Sequence, residues 1–156
     1  MTDARRHLLD ANVLVALALP HHVHHEAAHR WLNSLTRPDT WLTTGVTEAA
    51  FLRLLMNPQV VGASVNFLTA VGQLSAMKQA APVPHEFLPD STTLAAPVLD
   101  AETLGKVVVG KAQVTDFHLL NLAAAAGAQL ATFDAKLARN LPPDWSRLIE
   151  LISVDV

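Results

Sequence analysis

The order of apolar and polar positions along the chain predicts short buried strands that alternate with helices. Short apolar runs between turn residues indicate strands, and apolar positions that recur every three to four residues indicate helices. The predicted strands are His7–Leu9, Thr40–Thr43, Gln129–Phe133 and Leu148–Val154, with Pro82–Pro89 as a loop or short edge strand. The predicted helices are Asn12–Leu19, His22–Leu35, Thr47–Met56, Val65–Lys78, Thr92–Leu99, Asp116–Ala126 (capped by Thr115 and ended by Gly127), and a short one after Asp134. This alternation, without an internal repeat, predicts one α/β domain over residues 1–156, with helices on both faces of a parallel sheet.

Composition narrows the class of protein. The chain is 51% apolar and 16% charged, which excludes a disordered, solvating chain. It has no cysteine, so disulfides and thiolate zinc sites are excluded. Asp10 and Asn12 interrupt the first apolar stretch, which argues against an export signal, and no apolar run approaches the ~18 residues of a membrane span. We therefore expect a cytoplasmic protein without membrane association.

Four carboxylates fall at or near the starts of predicted helices. Asp10 follows the first strand, Glu48 lies in the first turn after the second strand, and Asp134 follows the strand Gln129–Phe133. Because the carboxyl ends of parallel strands lie along one edge of a sheet, these three side chains are expected to converge. Asp116 has no assigned strand before it and joins them by inference. Taken singly, each acid is also what a helix start prefers, as a cap or a partner of the helix dipole.

The surroundings of these acids favour a metal site over four unrelated caps. Glu48 and Asp116 each share a helical face with apolar residues three, four and seven positions later. Carboxylates that converge on an apolar face repel one another unless a cation lies between them. Oxygen ligands without cysteine suit Mg²⁺ or Mn²⁺, and acidic Mg²⁺ sites commonly hydrolyse phosphate esters.

The net charge of −3 argues mildly against a nucleic-acid binder, which is usually basic. Without the four acids, however, the chain has 11 basic and 10 acidic residues, so the remaining surface is not expected to repel anions. Basic residues near the predicted site are candidate phosphate contacts or ordinary solvated positions: Arg53, Lys106, Lys111, Lys136 and Arg139.

The segments that carry the four acids resemble a known family in order and spacing. They read LLDANVLVALALP, TEAAFLRLL, QVTDFHLLNLA and LATFDAKL, and they begin at residues 8, 47, 113 and 130. Over nearly the whole chain, the sequence is similar to the PIN-domain toxins of the VapC type. The resemblance implies an α/β/α sandwich with a five-stranded parallel sheet, usually as a homodimer.

The same resemblance implies the toxin of a type II toxin–antitoxin pair, an endoribonuclease that cleaves RNA with Mg²⁺, for which Mn²⁺ is a possible substitute. A cognate VapB-type antitoxin would hold it inactive. The residues that match the family's four acids are Asp10, Glu48, Asp116 and Asp134. Asp10 and Asp116 match the primary metal ligands, and Asn12 and Thr132 match supporting polar positions. His118 departs from the family pattern. Its two possible roles are an RNA contact and an ordinary surface histidine.

Other functions compete with this interpretation. His25-Glu26-Ala27-Ala28-His29 matches the H-E-x-x-H pattern of zinc peptidases but lacks a recognisable third ligand, so a solvated polar helix face is preferred. Residues 105–111 fit G-x-x-x-x-G-K, but Ala112 replaces the required Ser or Thr, which excludes a nucleotide-binding loop. A non-catalytic PIN module that binds RNA or protein is the main alternative, and the presence of all four acids argues against it.

The helix Val65–Lys78 carries apolar residues on two sides. One side has Val65, Leu68 and Gly72, and the other has Phe67, Val71 and Leu74. This excess of apolar surface predicts contact with a second subunit or an antitoxin. The alternative is a helix buried on both sides.

Overall fold

Five parallel strands form the centre of the fold. The structure is a computed structural model that describes residues 3–155, so the remaining residues of the predicted 1–156 domain lie outside it. The strands are β1 Arg6–Leu9, β2 Thr40–Thr43, β3 His85–Phe87, β4 Gln129–Thr132 and β5 Ile149–Leu151. Their order is β3-β2-β1-β4-β5, and every neighbouring pair is parallel. The predicted α/β class and five-stranded parallel sheet are confirmed.

Helices cover both faces of this sheet. The helices are α1 Ala11–Ala18, α2 His25–Ser34, α3 Gly45–Leu55, α4 Pro58–Val61, α5 Phe67–Ala80, α6 Ala101–Val107, α7 Val114–Ala126 and α8 Ala135–Asn140. Successive strand residues point to opposite faces, so Leu9 and Trp41 pack in one core with α1, α2, α3 and α5. Leu8 and Leu42 pack in the other core with α6, α7 and α8. No helix in the described part of the chain is long and apolar enough to cross a membrane.

The predicted helix Thr92–Leu99 is wrong. This segment is a series of turns, and Pro97 within it cannot donate a helical hydrogen bond. The buried Asn121 side chain of α7 accepts instead from the backbone N–H groups of Val98 and Leu99, at 2.8 and 3.0 Å. The long-range contact therefore determines the local conformation.

The helix missed by the sequence analysis, α6, begins directly afterwards. Asp100 caps it, because its carboxylate accepts from the Thr103 backbone N–H at 2.9 Å and from the Thr103 hydroxyl at 2.7 Å. The short helix α4 and 3-10 turns at Lys111–Gln113 and Pro143–Leu148 were also missed.

The predicted starts of α1, α2, α3, α5 and α7 differ from the structure by one to three residues, and two of these differences concern turns or caps. α2 begins at His25 rather than His22, because the His22 imidazole Nδ1 accepts the backbone N–H of His24 and holds a turn there. α7 begins at Val114, so Thr115 lies inside its first turn and does not cap it. The predicted edge strand within Pro82–Pro89 is confirmed as β3.

A buried ionic cluster ties together distant parts of the sheet. The side chain of His7, on β1, is fully buried, and its ring nitrogens lie 2.7 Å from Glu150 and 3.2 Å from Asp39. The Trp31 indole donates to Glu150 at 3.1 Å, and the Arg5 backbone donates to Asp39 at 3.0 Å. Burial alone would lower the pKa of His7, but hydrogen bonds to Glu150 and Asp39 outweigh it and raise the pKa. Two carboxylate partners are best satisfied by a doubly protonated ring.

Candidate active site

Asp10 and Asp134 lie at the carboxyl ends of β1 and β4, and Thr132 connects them. The buried Thr132 hydroxyl donates to the Asp10 carboxylate at 3.1 Å and accepts the Asp134 backbone N–H at 3.1 Å. Asp134 is exposed and caps α8 by accepting from the Leu137 N–H at 2.9 Å. Asp10 precedes α1 but makes no side-chain cap bond. The helix-cap alternative therefore describes Asp134 and not Asp10.

Asp116 reaches the same edge from the first turn of α7. Burial raises its pKa to about 6, and the negative charges of Asp10 and Asp134 contribute further. Burial also raises the pKa of Asp10. The hydrogen bond from Thr132 lowers this pKa in part, and the negative charge of Asp134 raises it further. The structure thus brings three of the four predicted acids into electrostatic contact.

The donor chemistry of this cluster fits a hard divalent cation. Its side chains offer carboxylate oxygens, and the raised pKa values mark anions that lack a positive partner. Within residues 3–155, no group of three histidine, cysteine or acidic side chains is arranged to hold an ion as it stands. Mg²⁺ is usually held by one or two carboxylates together with several waters, so it does not require three such side chains.

Glu48 has different partners from the three aspartates. Its Oε2 accepts hydrogen bonds from Lys78 Nζ at 2.8 Å and from Thr43 Oγ1 at 2.5 Å. Burial alone would raise the pKa of Glu48, but these hydrogen bonds and the Lys78 charge hold it below its ordinary value. Glu48 is therefore an ionised carboxylate that already has a cation.

His85 completes the surroundings of Glu48. Since the Thr43 hydroxyl donates to Glu48, it accepts from His85 Nε2–H, which lies 2.8 Å away. Burial lowers the pKa of His85 to about 4, and the Lys78 charge acts in the same direction. The neutral imidazole packs edge-on against buried Trp41, with ring centroids 4.7 Å apart. This arrangement fixes the hydroxyl of Thr43 toward Glu48.

Two open cavities adjoin the aspartate cluster and share Asp134. One, of about 450 Å³, contains Asp116, Gln113, Lys136 and Asn140 in its wall. The other, of about 390 Å³, is lined by Asn12, His22, Val23, His24, Thr132, Phe133 and Asp134. The predicted supporting residue Asn12 is exposed and lies in the second cavity. Of the basic residues named as candidate phosphate contacts, Lys136 lies beside the acids.

The H-E-x-x-H segment has a structural role. His25 Nδ1 donates to the Ala16 carbonyl at 2.7 Å, and His29 Nε2 donates to the Leu17 carbonyl at 2.8 Å. These carbonyls belong to the last turn of α1, which has no intrahelical donors for them. Both histidines are half-buried, so the preferred solvated-face interpretation is wrong for them and holds only for exposed Glu26. Their donor nitrogens tie α2 to the end of α1, which argues against a zinc peptidase.

His118 is half-buried and pairs through Nε2 with the Asp90 carboxylate. It is therefore engaged within the chain and not a free surface histidine. The contact joins α7, which carries Asp116, to the loop after β3.

Sequence reasoning missed Lys78, Thr43 and His85. One signal was present: Thr43 ends β2 as Thr132 ends β4, and both threonines donate to a site acid. No comparable signal marks Lys78, which lies 30 residues beyond Glu48 and meets it only through the packing of α5.

Comparison with known proteins agrees with the α/β fold and identifies a family. The family model described as PIN domain matches residues 7–140. Ribonuclease VapC39 of Mycobacterium tuberculosis is 42% identical over 131 residues, which cover 84% of this chain and 90% of that protein. Ribonuclease VapC38 of the same species is 38% identical over 148 residues, which cover 93% of this chain and 99% of that protein.

Solved structures share the architecture at low sequence identity. The crystal structure of VapBC2 from Rickettsia felis, bound to a DNA fragment from its promoter, matches with a TM-score of 0.59 and 16% identity. The match covers 95% of this chain and 99% of that chain. Mycobacterium tuberculosis VapC20, a sarcin-ricin loop cleaving toxin, matches with a TM-score of 0.52, 14% identity, and coverage of 90% and 93%.

Proposed function

This chain belongs to the PIN-domain family, and we propose that it is the toxin of a type II toxin–antitoxin pair, an endoribonuclease that hydrolyses RNA phosphodiester bonds. The relatives that share about two fifths of their residues with it are named ribonucleases of the VapC group. The observation that carries the proposal is the meeting of Asp10, Asp116 and Asp134 at the carboxyl edge of the sheet. Such an acidic edge beside open cavities suits a phosphate ester that arrives with a divalent cation.

Asp10 and Asp116 are the residues we propose to hold Mg²⁺, with Mn²⁺ as a possible substitute, because burial and mutual repulsion leave them most in need of a positive charge. When bound, the ion would polarise the phosphate and lower the pKa of a coordinated water. Thr132 orients Asp10 through its hydroxyl and fixes the backbone of Asp134, which extends the acidic site.

Glu48 is proposed to act on the attacking water. In hydrolysis the water oxygen attacks phosphorus, the bond to one ester oxygen breaks, and the departing oxygen gains a proton. Because Lys78 and Thr43 keep Glu48 ionised, it accepts a hydrogen bond from water well but is a weak proton acceptor. Its proposed role is therefore to orient the water, with deprotonation as the alternative role.

The proposed assembly follows from the family and from exposed apolar residues. We propose that residues 1–156 act as one cytoplasmic PIN domain that forms a homodimer and is inhibited by a VapB-type antitoxin. Phe67 and Leu68, at the start of α5, are 55% and 79% exposed, which supports contact with another chain.

A non-catalytic RNA- or protein-binding module is the second candidate. The ion pair between Glu48 and Lys78 favours it, because this pair leaves one of the four acids already neutralised.

The test is RNA cleavage by the purified, antitoxin-free chain with Mg²⁺, beside EDTA and an Asp10→Asn variant. Loss of a partner that merely orients a metal ligand costs roughly 10- to 100-fold, so loss of a ligand should reduce cleavage by at least about a hundredfold. Exposed Asp144, in the last 3-10 turn, provides a matched control as Asp144→Asn, which should cleave like the wild type.

The outcomes separate the two candidates. Cleavage lost with EDTA and in Asp10→Asn, but kept in Asp144→Asn, would support the nuclease. Cleavage that survives Asp10→Asn would contradict the proposed site. RNA binding without cleavage by folded, Mg²⁺-bound protein would favour the binding module.

A further inference from the structure

The cavity between the α1–α2 loop and the end of β4 has a chemistry distinct from that of the acids beside it. Its wall includes the imidazoles of His22 and His24 and the ring of Phe133, and it reaches Asp134. The opposite cavity, which also reaches Asp134, is lined by the amides of Gln113 and Asn140 and by the cation of Lys136.

The histidine loop has a defined geometry. The His24 ring stacks on Phe133, with centroids 4.6 Å apart and planes 26° from parallel. His22 Nδ1 accepts the His24 backbone N–H at 3.0 Å, so the His22 proton lies on Nε2. Burial lowers the pKa of His22, and the charges of His24 and His25 act in the same direction. His22 is therefore a neutral hydrogen-bond donor at physiological pH.

We propose that this cavity binds an unpaired base of the RNA substrate, next to the phosphodiester at the aspartates. Planar side chains stack on unpaired bases, and neutral imidazoles hydrogen-bond their edges. A phosphate fits poorly, because the cavity reaches the carboxylate of Asp134 and its described wall contains neither lysine nor arginine. This inference rests on the proposed ribonuclease function and adds a base-binding subsite to it.

The opposite cavity suits the sugar-phosphate chain on the other side of Asp134. Lys136 supplies a positive charge and the two amides supply neutral donors, the groups that proteins use for phosphate and ribose. The two cavities thus define a path across the acids, with a base recognised at one end only.

The experiment compares short single-stranded RNA homopolymers of A, U and C with an abasic strand of the same length. Binding is measured by fluorescence anisotropy with Ca²⁺ in place of Mg²⁺, and a gel confirms that the RNA stays intact. The ratio of affinities for base-bearing and abasic strands isolates the contribution of the bases from that of the phosphates.

The variants are His24→Ala, His24→Phe and the matched control His21→Ala. A stacked base contributes ~1–3 kcal/mol, so His24→Ala should lower the affinity ratio for the best homopolymer by roughly 5- to 150-fold. His24→Phe keeps a ring on Phe133 and should restore most of the ratio. His21 is exposed in the same loop and lies outside the cavity wall, so His21→Ala should leave the ratio unchanged.

Three results would overturn the inference. They are a wild-type ratio of one for every homopolymer, a ratio unchanged in folded His24→Ala, and an equal loss in His21→Ala. If His24→Ala weakens antitoxin binding while the RNA ratio is kept, the cavity docks a protein segment instead, which also overturns it.

Failure of the proposed function gives a different result. The wild type could fail to cleave RNA with Mg²⁺ while His24→Ala still abolishes the base-dependent part of RNA binding. In that case the base-binding subsite is supported and the nuclease function is contradicted. If the wild type cleaves and the KM of His24→Ala equals that of the wild type, the subsite alone fails.

Discussion

Glu48 and the three aspartates experience opposite electrostatic surroundings at one edge of the sheet. Burial and neighbouring negative charges raise the pKa values of Asp10 and Asp116, whereas hydrogen bonds from Lys78 and Thr43 lower that of Glu48. Lys78 donates to Glu48, and its charge also helps to lower the pKa of His85, which hydrogen-bonds Thr43. Lys78 is therefore a positioning residue, which keeps one carboxylate ionised and fixed.

Replacement of this cation tests its effect on Glu48. Lys78→Met should lower kcat by up to about a hundredfold, the scale expected when a catalytic group is misplaced by ~1 Å. If ionised Glu48 is required, activity falls as the pH drops through its pKa. Without Lys78 that pKa rises, so the acid limb of the pH–rate profile at saturating Mg²⁺ should move to higher pH.

Two further variants separate positioning from a general loss of charge. Lys78→Arg restores the positive charge and should recover most of the activity and the wild-type profile. Arg30→Met removes an exposed cation on α2, outside both cavities beside the aspartates, and should change neither. An unchanged acid limb in Lys78→Met would contradict the positioning role.

At this scale, the sequence predicted acids but not their partners. Asp10 and Asp134 could be placed because each follows a strand, and strand ends share an edge. Lys78 reaches Glu48, and His85 reaches Thr43, from elements whose packing no local pattern encodes. The grouping of the four acids as a single catalytic site remains a prediction, because the Glu48 carboxylate is paired with Lys78 rather than with the aspartates.

At the scale of elements, α5 has an apolar surface that the rest of the chain leaves exposed. Ala70 and Leu74 are buried in the core that α5 shares with α1 and α3, whereas Phe67 and Leu68 remain exposed. The alternative of a helix buried on both sides is therefore wrong for this chain. The exposed pair lies in its first turn, where a second subunit can approach without disturbing the core.

The predicted homodimer depends on this surface. Leu68→Asp places a charge where a partner would exclude water and should convert the wild-type dimer to a monomer at micromolar concentration, measured by light scattering. Its melting temperature in dilute solution should hardly change, because Leu68 is 79% exposed in the single chain.

The control is the same kind of substitution, an exposed apolar residue replaced by aspartate, at a position away from α5. Val98, 60% exposed in the turn segment before α6, should tolerate Val98→Asp with no change of mass. A wild-type monomer, or a dimer that survives Leu68→Asp, would contradict the use of this face.

Element boundaries were predicted least well where a hydrogen bond between a side chain and the backbone decides them. Asn121 holds the segment before α6 in turns, and the His22 imidazole delays the start of α2. The strands, by contrast, could be predicted because each is a short apolar run that must be buried inside the sheet. Periodicity is thus sufficient for the sheet but not for the loops that shape the site.

At the scale of the whole molecule, the His7 cluster links β1, β5, α2 and the residue before β2. His7 faces Glu150 and Asp39, with Arg5 and Trp31 as their other partners. Removal of one partner from a buried ion pair costs about 3–5 kcal/mol, so His7→Leu should be markedly less stable near pH 6.

The pH dependence has a definite sign. The folded-state pKa of His7 is raised, so its contribution is complete below the unfolded value near 6.5 and is lost as pH rises through the folded value. The difference in free energy of unfolding between wild type and His7→Leu should therefore shrink at alkaline pH. Urea unfolding across pH 6 to 10 measures it. A difference that grows with pH would show that the ring is neutral in the native state.

The hydrogen bond between Thr132 and Asp10 joins residues 122 positions apart, and β1 lies between β2 and β4. During synthesis a chain emerges from the ribosome amino end first. Asp10 must wait for β4, and for Asp116 on the helix before it, so no early fragment can assemble the site. For an enzyme proposed to destroy RNA, this order of strands delays activity until the chain has been translated beyond Asp134. The messenger and the ribosome that produce it are thereby spared until that point.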